Sequence, residues 1–443
     1  MGKGQKEGWE CPGRKARQEA VKMTYRRAIA GCVVLVMLVM PTAGATAAGA
    51  VGASGAEAYY GWLRSALVGL WQERPEITES ASEAARRFVE GDWDLGAWGD
   101  TPFVYEFINR AGGVMPIVFP VKPGEGAHPL VVLYAPREDQ LEEDWQGLRA
   151  LRQHGDVVIA FTRPELVAWA TAAGVRFDGV IDNQAAEHGG LFRGEDGKSW
   201  IVPTDPVGSI MAMWTWVGEF VGACTRLGKM PTMWQSVMVP GGVQRDTKFR
   251  KHRYHTYKPA PVPAGEVGER YLREVRSSLI TLRYLEGDRI RLAAETARAA
   301  RAQGHGLWAG GNGHSFTKLL GGPHDPGIFA PVNRELWWDM RKLPDFQPGD
   351  FVLCIGYDAP FEGKAYQNWA ERARAAGAQL AWSFTDYNRE ASAGLPPGEL
   401  YINQRWALGD AVVQFPGYDI KVLPPSGVIG QAILWMIEAE MVE

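Results

Sequence analysis

The chain has 443 residues, 46% of them hydrophobic and 22% charged, with a formal net charge of −4. This is an ordinary composition for a soluble protein, and the length is sufficient for two sizeable cores. The near-balanced charge excludes an electrostatic case for a nucleic-acid partner.

Residues 1–56 read as an export segment. Arg14, Lys15, Arg17, Lys22, Arg26 and Arg27 precede a stretch from Ala28 to Ala56 that has no charged residue. Basic, then apolar, then small and flexible is the order of a secretory signal. The strongly apolar part, Ala28 to Met40, is shorter than the roughly 20 residues of a membrane span. The expectation is therefore an exported protein, periplasmic or extracellular after cleavage near Ala45. The alternatives are an anchor retained at residues 28–50 and a true start at Met23. Cys224 and Cys354, the cysteines beyond this segment, sit in apolar surroundings and read as buried thiols.

The next stretch predicts helices over Tyr59–Glu73 and Glu76–Glu90, strands near Val131–Tyr134 and Val157–Phe161, and a closing apolar helix over Val207–Leu227. Residues 59–100 and 271–312 then prove to be two versions of one segment. At a constant offset of 212, twelve of 42 positions are identical, including Tyr59/Tyr271, Arg64/Arg276, Leu95/Leu307 and Gly99/Gly311. A second match, at offset 221, aligns the stretch at Pro203 with that at Pro424 and pairs Trp214 with Trp435. Periods of 20–50 residues mark solenoids and propellers, so a far longer one implies tandem domains. The reading is a first domain over 57–238, a Pro/Gly-rich linker with a basic cluster over 239–267, and a second domain over 268–443.

In the second domain a long helix, Tyr271–Ala302, precedes the apolar run Gly306-Leu-Trp-Ala309 and a glycine-rich turn, Gly310-Gly-Asn-Gly-His-Ser315. Phe351–Ile355 and Gln379–Ser383 are further apolar runs, separated by a helical stretch over Glu362–Ala376. The chain closes on a helix over Ser426–Met441, introduced by Pro424-Pro425 and read as capped by Ser426. Continuous apolar strands alternating with helices predict parallel sheets covered on both faces. The glycine-rich turn between a strand and a helix suits either a tight turn or a cradle for an anion. Its spacing is neither that of a dinucleotide fingerprint nor that of a P-loop, and no cofactor is expected.

With Gly349-Asp350, Ala375-Ala-Gly377 and the closing Pro424-Pro-Ser-Gly-Val-Ile429, the turn Gly311-Asn-Gly-His-Ser315 resembles the sugar isomerase (SIS) domains of phosphosugar-binding proteins. Arg110-Ala-Gly-Gly113 and Val180-Ile-Asp-Asn183 give the first half a similar character. The resemblance implies an α/β fold: two tandem flavodoxin-like, doubly wound parallel-sheet domains of SIS type. It implies a sugar phosphate or other anionic sugar derivative bound by Gly311, Asn312, Gly313, His314 and Ser315, with Ser426 and Gly427 facing the same crevice. Two departures stand out. The second loop, Gly356–Glu362, lacks the usual Ser and Thr, leaving Tyr357 as a substitute. The first half carries Trp98-Gly-Asp-Thr-Pro102, where Asp100 would repel an anion, so the first domain reads as degenerate.

Aldose–ketose or amino-sugar phosphate isomerisation would need a base, and Glu106 is the best candidate if the halves share one crevice. Glu187 and His188 come next. The bland reading of each is a surface side chain. Eight scattered histidines without helical metal-ligand spacing argue against a metal site. Trp214, Trp216, Trp337 and Trp338 read as core more readily than as sugar-stacking platforms. The rival functions are a non-catalytic sugar sensor and a structural pair whose duplicated helices build a homo-oligomer. A membrane enters only if the first segment is retained.

Overall fold

The computed structural model describes residues 54–91, 93–311, 319–332, 343–356, 364–386 and 395–443. Residues 1–53 of the expected export segment, 1–56, therefore lie outside it. The first half opens with helices α1 (Gly55–Gln72) and α2 (Arg74–Glu90), the latter started by Pro75. There follow β1 (Asp94–Gly99), α3 (Thr101–Phe107), β2 (Ile117–Val118), β3 (Leu130–Ala135), α4 (Leu141–His154), β4 (Val157–Phe161), α5 (Pro164–Ala172) and β5 (Gly179–Ile181). A hairpin of β6 (Gly190–Arg193) and β7 (Trp200–Pro203) leads into α6 (Asp205–Arg226). The five strands β1–β5 form a parallel sheet in the order 2-1-3-4-5, the flavodoxin-like order.

After α7 (Gly242–Phe249) and the 37-residue α8 (Glu266–Ala302) the plan repeats. Its elements are β8 (Leu307–Gly311), β9 (Ala330–Pro331), β10 (Phe351–Ile355), α9 (Lys364–Ala375), β11 (Gln379–Phe384), β12 (Leu400–Asn403), the hairpin β13 (Val413–Gln414) and β14 (Lys421–Val422), and α10 (Ser426–Val442). The second sheet runs β9-β8-β10-β11-β12, all parallel, which is the first order again. The fully buried β3 and β10 lie at the centre of their sheets and read as unbroken apolar runs because helices cover both faces.

The duplicated residues do duplicated work. Tyr59 Oη donates to the Pro203 carbonyl at 2.9 Å and Tyr271 Oη to that of Pro424 at 3.1 Å, each anchoring the entry to a closing helix. Gly155-Asp156 and Gly349-Asp350 enter strands that are not counterparts, β4 and β10, yet act alike. The Asp156 carboxylate receives the N–H of Leu130 and that of Asp350 the N–H of Gly306, both at 2.8 Å, tying neighbouring strands together. Tyr59→Phe and Tyr271→Phe are each expected to cost about 1 kcal/mol, since a buried carbonyl loses its donor. The two losses should add in urea unfolding, the sites being separate.

One core runs through both halves, with α6 and α10 at its centre. Helix α6 is long and apolar enough to cross a membrane, yet the whole of that apolar window is buried. Trp214, Trp216 and Trp435 are fully buried, so these tryptophans are core. Cys224 and Cys354 are buried free thiols, and burial raises both pKa values, which makes them poor nucleophiles. Residues 239–267 are folded against the rest: Arg245 pairs with Asp419 at 2.7 Å, and Arg253 with Asp94. Ser426 is not a cap. It occupies the first helical position of α10, and its hydroxyl is engaged by a carboxylate instead.

Candidate functional site

Two clusters of charged and polar side chains sit at the starts of the closing helices α6 and α10, and each receives residues from the other half. At the second, Asp410 accepts the Ser426 N–H at 3.1 Å and the Ser426 hydroxyl at 2.7 Å. Arg110, from the first half, reaches across to Asp410 at 3.0 Å and also to Ser426 Oγ. One helical turn back, Glu106 meets Arg110 Nε at 3.2 Å and takes the indole N–H of Trp214 at 3.3 Å. Glu106, Arg110 and Asp410 are all at most 3% exposed. The halves thus bring Glu106, Ser426 and Gly427 together, although the sequence separates them by more than 300 positions.

Packing around Gly427 is close: a Cβ there would stand 2.2 Å from Glu106 Oε1. Gly427→Ala is therefore expected to destabilise by about 1–3 kcal/mol, as overpacking does, read as a lower urea midpoint. Burial pushes the Asp410 carboxyl up to about 7, against Arg110 and Ser426 and with help from the Glu106 charge. Tyr271 stands well above its ordinary value, through burial first and then the charges of Glu106 and Asp410.

Gly311 ends β8, in parallel register with Ile355 of β10. Asn312, Gly313, His314 and Ser315 lie outside the described residues, as do Tyr357 with the second loop and Trp337-Trp338. The ring of His188 packs on Trp200 at 4.6 Å. The nearby Asn183 is buried, donating to Asp205 at 2.8 Å and to Ser209 at 3.0 Å.

The first cluster brings in Glu138, Arg163 and His324, none of which was singled out from the sequence. Asp205 starts α6, in the position Ser426 has in α10. Arg163, 2% exposed and just after β4, pairs with Asp205 and, at 2.9 Å, with Glu138. His324, from the second half, stands 2.9 Å from Glu138 and 2.8 Å from the Trp200 carbonyl. Asp100 caps α3 through the Phe103 N–H at 3.2 Å. Burial, with the nearby charges of Asp205, Asp144 and Asp139, pushes it up to about 7 in spite of that hydrogen bond. Burial also pushes Glu138 upwards, but His324 and Arg163 outweigh it and hold the carboxyl below its usual range. The duplication alone could have flagged His324: Arg110 plus the offset of 212 falls at Gly322, two residues away.

No protein-family model and no curated protein matches the chain. Several solved structures are similar to it. The C-terminal domain of glucosamine-fructose-6-phosphate aminotransferase from Francisella tularensis is 8% identical, with 85% of this chain and 95% of that one covered and a TM-score of 0.45. A protein described as sugar-binding from Salmonella typhimurium LT2 is 10% identical, with coverage of 87% and 98% and a TM-score of 0.45. Tagatose-6-phosphate ketose/aldose isomerase from Escherichia coli is 11% identical, with coverage of 88% and 92% and a TM-score of 0.42.

Proposed function

We propose that the chain binds a phosphorylated or otherwise anionic sugar derivative at the carboxyl end of its second sheet. The observation that carries this reading is the placement of Gly311 at the end of β8, so that the Gly311-Asn-Gly-His-Ser315 turn begins at the strand ends of a doubly wound sheet. Ligands of such sheets bind outside the carboxyl ends of the strands, at the switch in strand order. In this proposal Gly311, Asn312, Gly313, His314 and Ser315 hold the anion, with Ser426 and Gly427 on the far wall. Isothermal titration of the full chain with hexose and amino-hexose phosphates tests it. Ser315→Ala is expected to weaken binding by about 1–3 kcal/mol through a lost charge-assisted hydrogen bond. Unchanged affinity would remove the turn from the site.

Once bound, the sugar is either isomerised or simply held. If the protein is an isomerase, Glu106 is the base of choice, and Glu106→Gln should abolish turnover while binding persists. The complete burial of Glu106 against Arg110 and Trp214 favours non-catalytic binding instead. A protein of that kind would hold the sugar phosphate and leave it unisomerised. Export of the mature protein belongs to the same proposal and is tested by sequencing the amino terminus of the secreted product.

A further inference from the structure

We propose that the first cluster is a site for a divalent first-row transition metal, held by Glu138, Asp205 and His324. Side-chain donors of these three residues all lie within 4.8 Å of one another, although they come from three distant parts of the chain. Nothing in the spacing of the histidines points to such a site. The convergence depends on the second half reaching over the first.

The orientation of His324 is the strongest indication. Its Nδ1 lies 2.8 Å from the Trp200 carbonyl, which can only accept, so Nδ1 bears the hydrogen. Nε2 then faces Glu138 Oε2 at 2.9 Å. Two lone pairs at that separation need a cation between or beside them, a proton or a metal ion. A backbone carbonyl holding Nδ1–H is the outer-shell arrangement that leaves Nε2 of a metal-ligating histidine to face the ion. Two donors about 2.1 Å from a common ion and at right angles stand about 3 Å apart, as His324 Nε2 and Glu138 Oε2 do.

Space and charge agree with this. A cavity of about 40 Å³ adjoins the donors, lined by Asp100, Glu138, Asp205 and His324 among others. That is room for an ion and a water, which needs roughly 10–15 Å³, and far too little for a sugar. Gly189 keeps the backbone side of the donors clear, since a Cβ there would lie 2.4 Å from His324 Nε2, 2.6 Å from Asp205 Oδ2 and 2.7 Å from Arg163 Nη1. Arg163 grips the other Glu138 oxygen at 2.9 Å, leaving Oε2 towards His324. It also touches Asp205, whose second oxygen accepts from Asn183, so the ion must share Asp205 with the guanidinium. One nitrogen and two carboxylates suit Zn²⁺ or Mn²⁺ better than Ca²⁺, which wants six to eight oxygens.

The test is calorimetric titration of the chelator-stripped full chain with Zn²⁺, Mn²⁺ and Mg²⁺. One Zn²⁺ or Mn²⁺ per chain is expected, with a rise in melting temperature and at least about a tenfold loss of affinity in His324→Ala and Glu138→Gln. Should a variant not fold, electron paramagnetic resonance of the Cu²⁺-loaded wild type should show coupling to a single nitrogen. Absence of one-to-one binding by the wild type would assign the cation to a proton and overturn the proposal. The same affinity in a folded His324→Ala, or a Cu²⁺ signal without that coupling, would also overturn it.

Discussion

Replacing Arg110 with methionine is expected to cost about 3–5 kcal/mol of folding free energy, the range for breaking a buried ion pair by removing one partner. The guanidinium faces Glu106 at 3.2 Å and Asp410 at 3.0 Å, and all three side chains are almost wholly out of water. Methionine has a similar volume, so the loss comes from two carboxylates deprived of a buried cation. Urea unfolding reads it as a fall in the midpoint at constant slope. Because Arg110 joins the first half to the closing helix of the second, the slope also reports whether the halves still unfold together. A loss below about 1 kcal/mol would mean that the pairing is that of an exposed bridge.

Stability should fall as pH rises from about 5 to about 7, and Asp410→Asn should flatten that fall. Burial sets the Asp410 carboxyl at about 7 in the folded chain, well above its ordinary value. Between the two values the folded state binds more protons than the unfolded state, so raising the pH favours unfolding until the folded carboxyl has ionised. The full displacement corresponds to an upper limit of about 4 kcal/mol. Melting at pH 5.5 and pH 8 in wild type and Asp410→Asn isolates this carboxyl, since other titrating groups contribute to both proteins. Equal pH dependence in the two would show that Asp410 is ionised throughout.

Much of the architecture is legible in the chain. The 212-residue offset predicts two equivalent halves, and the shared strand order, with Tyr59 and Tyr271 in matching roles, is what that offset implies. Apolar runs locate β3, β4, β10 and β11 within a residue or so, because strands buried on both faces leave no polar alternation to blur them. Glu106 does meet Gly427 across the two halves, in a packed contact. The sequence concealed two partners that lie in irregular loops. Asp410 lies in an irregular stretch between β12 and β13, and His324 in one between β8 and β9, where periodicity says nothing. Ser426 looks like a cap from its position alone, and only Asp410 beside it explains why its hydroxyl turns away.

Sugar-phosphate binding is tested by thermal melting of the full chain against hexose 6-phosphates, amino-sugar phosphates, their unphosphorylated counterparts and inorganic phosphate. A ligand at 100 times its dissociation constant should add roughly 2.7 kcal/mol to the stability of the folded state. The expected result is a saturable rise in melting temperature that needs both the sugar and its phosphate, and that Ser315→Ala diminishes. No rise with any sugar phosphate, or an equal rise with the unphosphorylated sugars, would contradict sugar-phosphate binding at this site.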